Sequence, residues 1–214
     1  MITIVALGDS TTAGTPGFKS PIEAPPEGAG NRESQYAWWL MQAHRDWLVL
    51  NRGVNGQRSD QIRARFSTDV LDEKRRQPLD SARGRPAPDP FLTVIIAGVN
   101  DIYQGRAAES VERELQAMYD QARTAGIGVV AGSIIPYNTA SPDQNARRRA
   151  VNAWIREYAA THPGIGFCDT RAAVAAPGRP DMLASSPDGL HPSPDGYRLM
   201  ALALEPVITS LRMR

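Results

Sequence analysis

Five short apolar runs, separated by segments with helical periodicity, constrain the fold of this chain more than any other feature. None of the runs contains a charged residue, which is typical of strands that are buried on both faces of a sheet. When such strands alternate with helices, they form a parallel sheet and the helices cover both of its faces. The sequence therefore predicts an α/β fold, a three-layer α/β/α sandwich around a parallel sheet of about five strands. The runs lie at 2–7, 47–51, 91–97, 128–135 and 165–168.

The chain is 214 residues long and has a formal net charge of +1. This length is enough for one well-filled core and short for two, so we expect a single domain over residues 1–214. The balanced charge gives no general attraction to nucleic acid or to an anionic membrane surface, and we expect neither as a partner. No apolar stretch approaches the ~20 residues of a membrane span, and strand residues follow Met1 directly, without a signal peptide. We therefore expect a cytoplasmic protein.

The chain contains one cysteine and three histidines, and these counts exclude several kinds of site. A single Cys168 cannot form an intrachain disulfide, and its apolar surroundings predict a buried thiol without a catalytic role. His44 and His162 fall on predicted helix surfaces, far in sequence from each other and from His191. Because this spacing offers no metal-ligand pattern, we predict neither a metal site nor a cofactor.

Three of the predicted strands end in short polar loops, which contain Ser10, Gly53 and Asn100. The carboxyl ends of parallel strands all face one edge of the sheet, where α/β proteins bind ligands. Residues that are distant in the sequence can therefore meet at this edge. The segment near the carboxyl terminus adds Asp188 and His191, three positions apart, in a loop stiffened by three prolines. We expect these five residues to converge on one site.

These five residue types are the parts that acyl transfer requires. A serine hydroxyl is a poor nucleophile at neutral pH and needs an adjacent base, for which imidazole, with an unperturbed pKa near ~6.5, is suited. A carboxylate on the far ring nitrogen fixes the tautomer, and fixed N–H donors stabilise the oxyanion of the tetrahedral intermediate. We therefore predict Ser10 as nucleophile, His191 as base and Asp188 as its partner. The predicted oxyanion donors are the backbone N–H groups of Ser10 and Gly53 and the side-chain amide of Asn100.

Each of these residues also has a plain structural interpretation. The turn at residues 8–11 can be only a helix cap, since Asp, Ser and Thr all cap helices well. Asn100 can likewise be a cap, Gly53 can serve only for its backbone freedom, and His191 can be a surface histidine. A further alternative is a binding module whose first loop cradles a phosphate at a helix N-terminus, which requires neither Asp188 nor His191.

Four motifs, in this order along the chain, resemble the sequence blocks of the GDSL lipases and esterases, also called SGNH hydrolases. The motifs are Gly8-Asp9-Ser10, Gly53 after Asn51, Gly98-Val99-Asn100-Asp101 and Asp188-Gly189-Leu190-His191-Pro192. The resemblance spans nearly the whole chain and implies a flavodoxin-like sheet, a serine nucleophile and an oxyanion hole of Ser, Gly and Asn, here at positions 10, 53 and 100. Thr11 departs from the Leu or Ile of many members, and the G-x-S-x-G elbow of the α/β-hydrolases is absent.

The residues predict hydrolysis of carboxylic esters and say less about which ester. The open rim of such a sheet usually leaves a shallow cleft, so we expect short acyl groups, such as acetyl, on alcohols, aryl groups or sugars. Longer acyl chains, as in lysophospholipids or thioesters, are the alternative. The Gly- and Pro-rich loop at 13–31 is long enough to be a binding loop. The expected substrate-binding residues lie close in sequence to catalytic ones: Asp9, Phe18, Ile22 and Tyr103.

Local signals predict several boundaries between elements. Ser34 and Ser59 precede periodic apolar segments, so we expect them to cap helices. Ser141-Pro142 predicts a further helix start, with serine at the cap and proline at the first helical position. The segment 74–90 is rich in Arg and Pro, carries interspersed aspartates and contains no aromatic residue, which predicts a solvated excursion.

Overall fold

The computed structural model describes residues 1–76, 79–80, 85–86 and 90–212 of the chain. At its centre is a sheet of five parallel strands: β1 (Ile2–Gly8), β2 (Trp47–Gly53), β3 (Phe91–Ile96), β4 (Gly128–Gly132) and β5 (Ile165–Cys168). The strands lie in the order β2-β1-β3-β4-β5, and every neighbouring pair is parallel. The predicted α/β fold with a five-stranded parallel sheet is therefore confirmed.

The strand order is that of flavodoxin-like sheets, in which the direction of winding reverses between β1 and β3. A crevice forms at the carboxyl ends of the two strands at this switch point, and open α/β folds bind their ligands there. In the register of the sheet, Gly8 at the end of β1 pairs with Gly53 of β2 and with Ile96 of β3. The loops after these three strands therefore leave the sheet at one level, with Ser10 at the switch point.

Helices cover both faces of the sheet. Along β1, Val5 and Leu7 belong to one hydrophobic core, whereas Ile4 and Ala6 belong to the other. Because both faces of the strand are buried, the run shows no alternation of polar and apolar residues. The helices are α1 (Ser10–Ala13), α2 (Tyr36–Ala43), α3 (Ser59–Ala64), α4 (Asp72–Arg75), α5 (Val99–Tyr103), α6 (Ala108–Thr124), α7 (Pro142–Thr161), α8 (Thr170–Val174) and α9 (Pro194–Arg212).

Two of the predicted helix starts need correction. Ser34 closes a short 3-10 turn (Arg32–Ser34) before α2 and does not cap that helix. Ser59 lies inside α3, and its hydroxyl donates to the buried carboxylate of Asp101 instead of capping the helix. Ser141, by contrast, caps α7 as predicted, with its hydroxyl accepting a backbone N–H of the first turn.

Short antiparallel ladders lie outside the central sheet. Phe18–Lys19 pairs with Ala29–Gly30 within the long loop that follows α1. Ala175–Ala176 pairs with Arg179–Leu183 shortly before the segment that carries His191. Both ladders lie on loops that leave the carboxyl edge of the sheet, so they stiffen the surroundings of the switch point.

The segment predicted to be a solvated excursion, 74–90, is only partly described. Its described portion includes the end of α4 and a pairing of Leu79–Asp80 with Arg85–Pro86. Residues 77–78, 81–84 and 87–89 lie outside the described residues, and so does most of that prediction. Across the described ranges, no helix combines the length and the apolar character that crossing a membrane requires.

Candidate active site

Ser10 lies directly beyond β1, at the start of the four-residue helix α1. Asp9 caps this helix, since its carboxylate accepts a hydrogen bond of 2.9 Å from the N–H of Thr11. Burial raises the pKa of Asp9 to about 7, and the hydrogen bonds from Thr11 oppose this shift. The hydroxyl of Ser10 is thus presented at the rim of the sheet by a short helix whose N-terminus is fixed.

The structure brings Ser10, His191 and Asp188 into one hydrogen-bonded chain. His191 Nε2 lies 2.9 Å from Ser10 Oγ, and His191 Nδ1 lies 2.7 Å from Asp188 Oδ2. The other carboxylate oxygen of Asp188 accepts from the backbone N–H groups of Leu190 and His191, at 2.9 and 2.8 Å. One tight turn therefore holds the imidazole and its carboxylate together, and it places them over a serine 181 positions away.

The surroundings of Asp188 keep its carboxyl group ionised. Burial raises the pKa of Asp188, but the hydrogen bonds from His191 and from the N–H of Leu190 outweigh burial, so the pKa lies below its ordinary value. The side chain of Asp188 is 31% exposed, and that of His191 is 12% exposed. An ionised carboxylate on Nδ1 favours the tautomer in which Nε2 accepts a proton from Ser10 Oγ, as a general base must.

Two of the predicted oxyanion donors lie at the same cavity as His191. Asn100 is the second residue of α5, and its side-chain amide donates to the carbonyl of Gln57 at 2.9 Å. An amide nitrogen carries two hydrogens, so one hydrogen remains for a ligand. The backbone N–H of Ser10 has no acceptor within the described residues. Asn100 and Ser10 both line the cavity and so offer two donors there.

Gly53 does not provide the donor predicted for it. Its N–H donates to the side chain of Asn51 at 3.0 Å, and the residue is buried at the end of β2. A Cβ at this position would lie 2.0 Å from the backbone nitrogen of Ala13, so the close packing of β2 against α1 requires glycine here. The prediction for Gly53 is wrong because Asn51, two residues earlier, occupies its N–H.

The next glycine of the same loop, Gly56, has a free N–H. Gly56 has φ of +74°, in a turn closed by a 3.4 Å hydrogen bond from the N–H of Gln57 to the carbonyl of Val54. Its N–H meets no acceptor in the part of the chain that the structure describes, and its neighbour Asn55 lines the cavity. The sequence contains both glycines three positions apart, and only the fold distinguishes the buried one from the exposed one.

A buried carboxylate that the sequence interpretation missed joins the two loops on this side of Ser10. Asp101 follows Asn100 in α5 and is completely buried. It accepts hydrogen bonds from the N–H and the hydroxyl of Ser59, at 2.7 and 2.9 Å, and pairs with Arg106 at 2.6 Å. Because Ser59 directly follows the loop of Gly56, Asp101 fixes that loop against the helix that carries Asn100.

A cavity of about 200 Å³ opens at Ser10 and His191. Val99 and Leu190 give it apolar walls, and Tyr137 contributes a buried ring. This volume is below the roughly 300–1,000 Å³ of pockets for drug-sized ligands, so the cavity suits a small group beside the nucleophile.

The four residues predicted to bind substrate have different positions. Tyr103 lines the cavity and is 57% exposed. Asp9 and Phe18 are buried, and neither they nor Ile22 line the cavity. Phe18 packs beside β2 instead. Those three residues are close to Ser10 in sequence, but the fold packs their loop against the end of β2, where Ser20 donates to the carbonyl of Gly53.

The other histidines and the cysteine have structural positions. His44 stacks on Trp47 and His162 stacks on Tyr158, each with ring centres 3.8 Å apart. Cys168 is buried at the end of β5, and burial raises its pKa to about 12. Within the described residues, no group of three or more His, Cys, Asp or Glu side chains is arranged to bind a metal ion.

Solved structures share this fold over nearly the whole chain. A member of the lipolytic protein G-D-S-L family from Veillonella parvula superposes with a TM-score of 0.74 at 21% identity, covering 98% of this chain and 99% of that one. A GDSL-like lipase from Bacteroides thetaiotaomicron superposes with a TM-score of 0.68 at 22% identity, and the match covers 97% of this chain and 88% of that one. A catalytic mutant of an acetylxylan esterase from Geobacillus stearothermophilus superposes with a TM-score of 0.68 at 19% identity, and the match covers 97% of this chain and 94% of that one.

At these identities the solved structures establish the fold alone. A comparison with curated proteins gives no match to the sequence. A profile of the GDSL-like Lipase/Acylhydrolase family, however, matches residues 6–199, which is most of the chain. The chain is therefore a hydrolase of the GDSL-like lipase/acylhydrolase family.

Proposed function

We propose that this hydrolase cleaves short-acyl carboxylic esters through an acyl-enzyme on Ser10, with His191 as general base and Asp188 as the partner of the imidazole. The observation that carries the proposal is the unbroken chain of two contacts, 2.9 Å from Ser10 Oγ to His191 Nε2 and 2.7 Å from His191 Nδ1 to Asp188 Oδ2. A nucleophile, its base and an orienting carboxylate in hydrogen-bond reach are what covalent acyl transfer needs.

The reaction then follows from these three side chains. Ser10 Oγ attacks the ester carbonyl carbon and gives its proton to His191 Nε2, while Asp188 stabilises the imidazolium. The tetrahedral intermediate collapses, the alcohol leaves with the proton from Nε2, and the acyl group stays on Oγ. Water attacks the acyl-enzyme and gives a proton to Nε2. Collapse of the second intermediate releases the carboxylic acid and returns the proton to Ser10 Oγ.

The oxyanion of each intermediate needs fixed donors, and we assign three. They are the backbone N–H of Ser10, the side-chain amide of Asn100 and the backbone N–H of Gly56, which replaces Gly53 in our prediction. The assignment of Gly56 is supported by its unoccupied N–H and by its neighbour Asn55 on the cavity wall. Donors that are already oriented stabilise the charge without reorganising during the reaction.

The cavity supports a small acyl group. Its volume of about 200 Å³ and its apolar walls at Val99 and Leu190 fit an acetyl group beside Ser10, whereas a long chain would extend into solvent. The exposed ring of Tyr103 at the cavity mouth suits an aryl or sugar alcohol, since both present flat or apolar faces. The fold shared with an acetylxylan esterase from Geobacillus stearothermophilus agrees with acetyl esters of sugars.

Labelling by a fluorophosphonate probe tests the chemistry. We expect the wild-type protein to be labelled and Ser10→Ala to remain unlabelled. Ser67→Ala, which alters an exposed serine, is the matched control and should label normally. Equal labelling of Ser10→Ala and the wild type would refute the assignment of the nucleophile.

A series of p-nitrophenyl esters tests the acyl length separately. We expect kcat/KM to be no higher for octanoate than for acetate, because each methylene beyond the cavity adds little binding energy. A preference for octanoate would instead favour the alternative of longer-acyl substrates, such as lysophospholipids or thioesters.

A further inference from the structure

A second cavity, of about 300 Å³, lies beyond β5 and shares no lining residue with the catalytic cavity. Asp169, which directly follows β5, is part of its wall, so it opens at the same edge of the sheet as Ser10. The ring of Phe167 closes one side, with the guanidinium of Arg156 4.2 Å from the ring centre. The position of this cavity, on the catalytic edge, makes its chemistry relevant to the substrate.

Three arginines line this cavity, Arg149, Arg156 and Arg171, and they share two aspartates with a fourth, Arg148, which does not line it. The four are here named the arginine cluster. Asp169 accepts from Arg156 and Arg171, at 2.9 and 3.2 Å. Asp181 accepts from Arg148 and Arg149, at 2.5 and 2.6 Å. Four cations against two carboxylates leave a local charge of +2, larger than the +1 of the whole chain.

Arg148 is the buried member of the cluster, and its hydrogen-bonding capacity is not filled. Its side chain is completely buried, and neither Nε nor Nη1 has a partner among the described residues. Burial lowers the pKa of Arg148, Asp181 opposes that shift, and the neighbouring Arg171 and Arg149 add to it. A buried guanidinium with unpaired nitrogens and like charges beside it is costly, and a further anion nearby would relieve that cost.

Arg148 lies near both cavities, and its partner Asp181 lines the second one. The charge of Arg148 acts on Tyr137, whose ring lines the catalytic cavity and whose buried hydroxyl has no partner in the described structure. In the sheet, β5 lies three strand spacings from β1, which is roughly 14 Å at about 4.8 Å per spacing. An ester bound at Ser10 can span this distance if its alcohol part is at least the size of a disaccharide.

We propose that the arginine cluster is a subsite for an oxyanion group, a carboxylate, sulfate or phosphate, carried by the alcohol part of the ester substrate. Guanidinium groups bind such oxyanions in paired hydrogen bonds, and each cluster arginine has donors left after its aspartate. The cluster has two more arginines than aspartates, and Nε and Nη1 of the buried Arg148 have no partner among the described residues. The proposal rests on the proposed function for the position of the ester.

Direct binding tests the cluster without any catalysis. Sodium sulfate, titrated into the protein at low ionic strength and followed by calorimetry, is the probe. We expect the Arg149→Gln/Arg156→Gln double variant to bind sulfate roughly tenfold more weakly, because it removes two exposed cations and leaves the buried Arg148 in place. Arg113→Gln changes an exposed arginine on α6 whose guanidinium donates to Ser110; it is the control outside the cluster and should bind sulfate as the wild type does.

Kinetics distinguish a group on the substrate from a free anion. The two substrates are an acetylated disaccharide whose second ring is glucuronic acid and the matching acetylated disaccharide with glucose as its second ring, here called the glucuronide and the glucoside, which differ in the carboxylate. We expect the wild type to show a KM about fivefold lower for the glucuronide and the double variant to show equal KM values, with kcat for the glucoside unchanged. Added salt near ~0.5 M should also abolish the difference, since it screens exposed charges.

Each outcome decides between the interpretations. Cluster-dependent sulfate binding together with the KM difference supports the proposal. Cluster-dependent sulfate binding without a KM difference overturns the assignment to the substrate and identifies a site for a free anion. Equal sulfate binding by the wild type and the double variant overturns the site itself. Because the titration needs no hydrolysis, a failure of the proposed esterase chemistry would remain separately visible.

Discussion

The two sides of Ser10 are held in place in different ways. On one side, His191 and Asp188 share a single turn, and the bonds that orient them run between residues at most three positions apart. On the other side, Asn100 and Gly56 come from separate loops, which the completely buried Asp101 joins. A local turn can lose one side chain without disturbing the fold, whereas a buried charge that loses its partners strongly destabilises the protein.

This difference predicts two kinds of response to substitution. Changes on the turn of His191 should remove catalysis and leave stability almost unaffected. Changes at Asp101 should lower stability substantially and catalysis only moderately. Changes at Asn100 should fall between the two, because its amide both faces the cavity and donates to a loop carbonyl.

The largest expected effect is that of His191→Ala. The substitution removes the base that accepts the proton of Ser10, so kcat for p-nitrophenyl acetate should fall by about 10⁴-fold or more. Thermal unfolding should change little, because within the described residues the imidazole hydrogen-bonds only to Ser10 and Asp188. A variant that keeps a tenth of the wild-type kcat would show that another group serves as base.

Asn100→Ala should have the next largest effect on catalysis. It removes one oxyanion donor, and such a loss lowers kcat by about 10²–10³-fold while KM changes little. Asn55→Ala is a matched control on the same cavity wall, and its kcat should stay within threefold of the wild type. If both variants behave alike, the amide of Asn100 does not stabilise the transition state.

Asp101→Asn should reverse the balance between stability and catalysis. The variant leaves Arg106 without its buried carboxylate and turns an amide N–H toward the donors of Ser59, so we expect a loss of roughly 2–4 kcal/mol in the free energy of unfolding. The loop of Gly56 is then less well fixed, and kcat should fall by about tenfold.

Urea unfolding and steady-state kinetics measure the two effects of Asp101→Asn. The control is Asp143→Asn, which makes the same change from carboxylate to amide at the exposed start of α7. Water can replace the lost contact there, so the free energy of unfolding should fall by less than about 1 kcal/mol. A large loss of stability in both variants, or none in either, would contradict the role given to burial.

The fold was predictable because its signal is local and repeated. Each strand is an uncharged run buried on both faces, and α6 shows its buried face directly in the spacing of its apolar residues. The helix starts at Ser34 and Ser59 were not predictable in the same way. A serine hydroxyl can cap a helix or bond to a distant group, and Ser59 bonds to a carboxylate 42 positions away.

The side chains of the proposed site divide in the same way. The contact between Asp188 and His191 was predictable because the two residues are only three positions apart in the sequence. The choice between Gly53 and Gly56 depends on where the side chain of Asn51 points, which the fold decides. The arginine cluster was missed because its members come from α7 and α8 and meet only through Asp169 and Asp181.

The last expected effect is one of pH on stability and concerns Asp9, the residue before Ser10. Burial raises its pKa from 3.8 to about 7, so the folded protein holds a proton that the unfolded chain has released. Stability should therefore fall as pH rises from about 4 to about 7, by up to about 4 kcal/mol, and then stay level. Asp9→Asn keeps an acceptor for the N–H of Thr11 but cannot ionise, so its stability should not fall across this window.

Urea unfolding at intervals between pH 4 and pH 8 compares Asp9→Asn with the wild type. The two proteins should be nearly equal at pH 4, and the advantage of Asp9→Asn should grow until about pH 7. A difference that is constant with pH would mean that burial does not hold the proton on Asp9. The charge of Asp101 also raises the pKa of Asp9. The same titration of Asp101→Asn should therefore show a smaller decline in the free energy of unfolding between pH 4 and pH 7. Such a result would show that the two buried carboxylates interact.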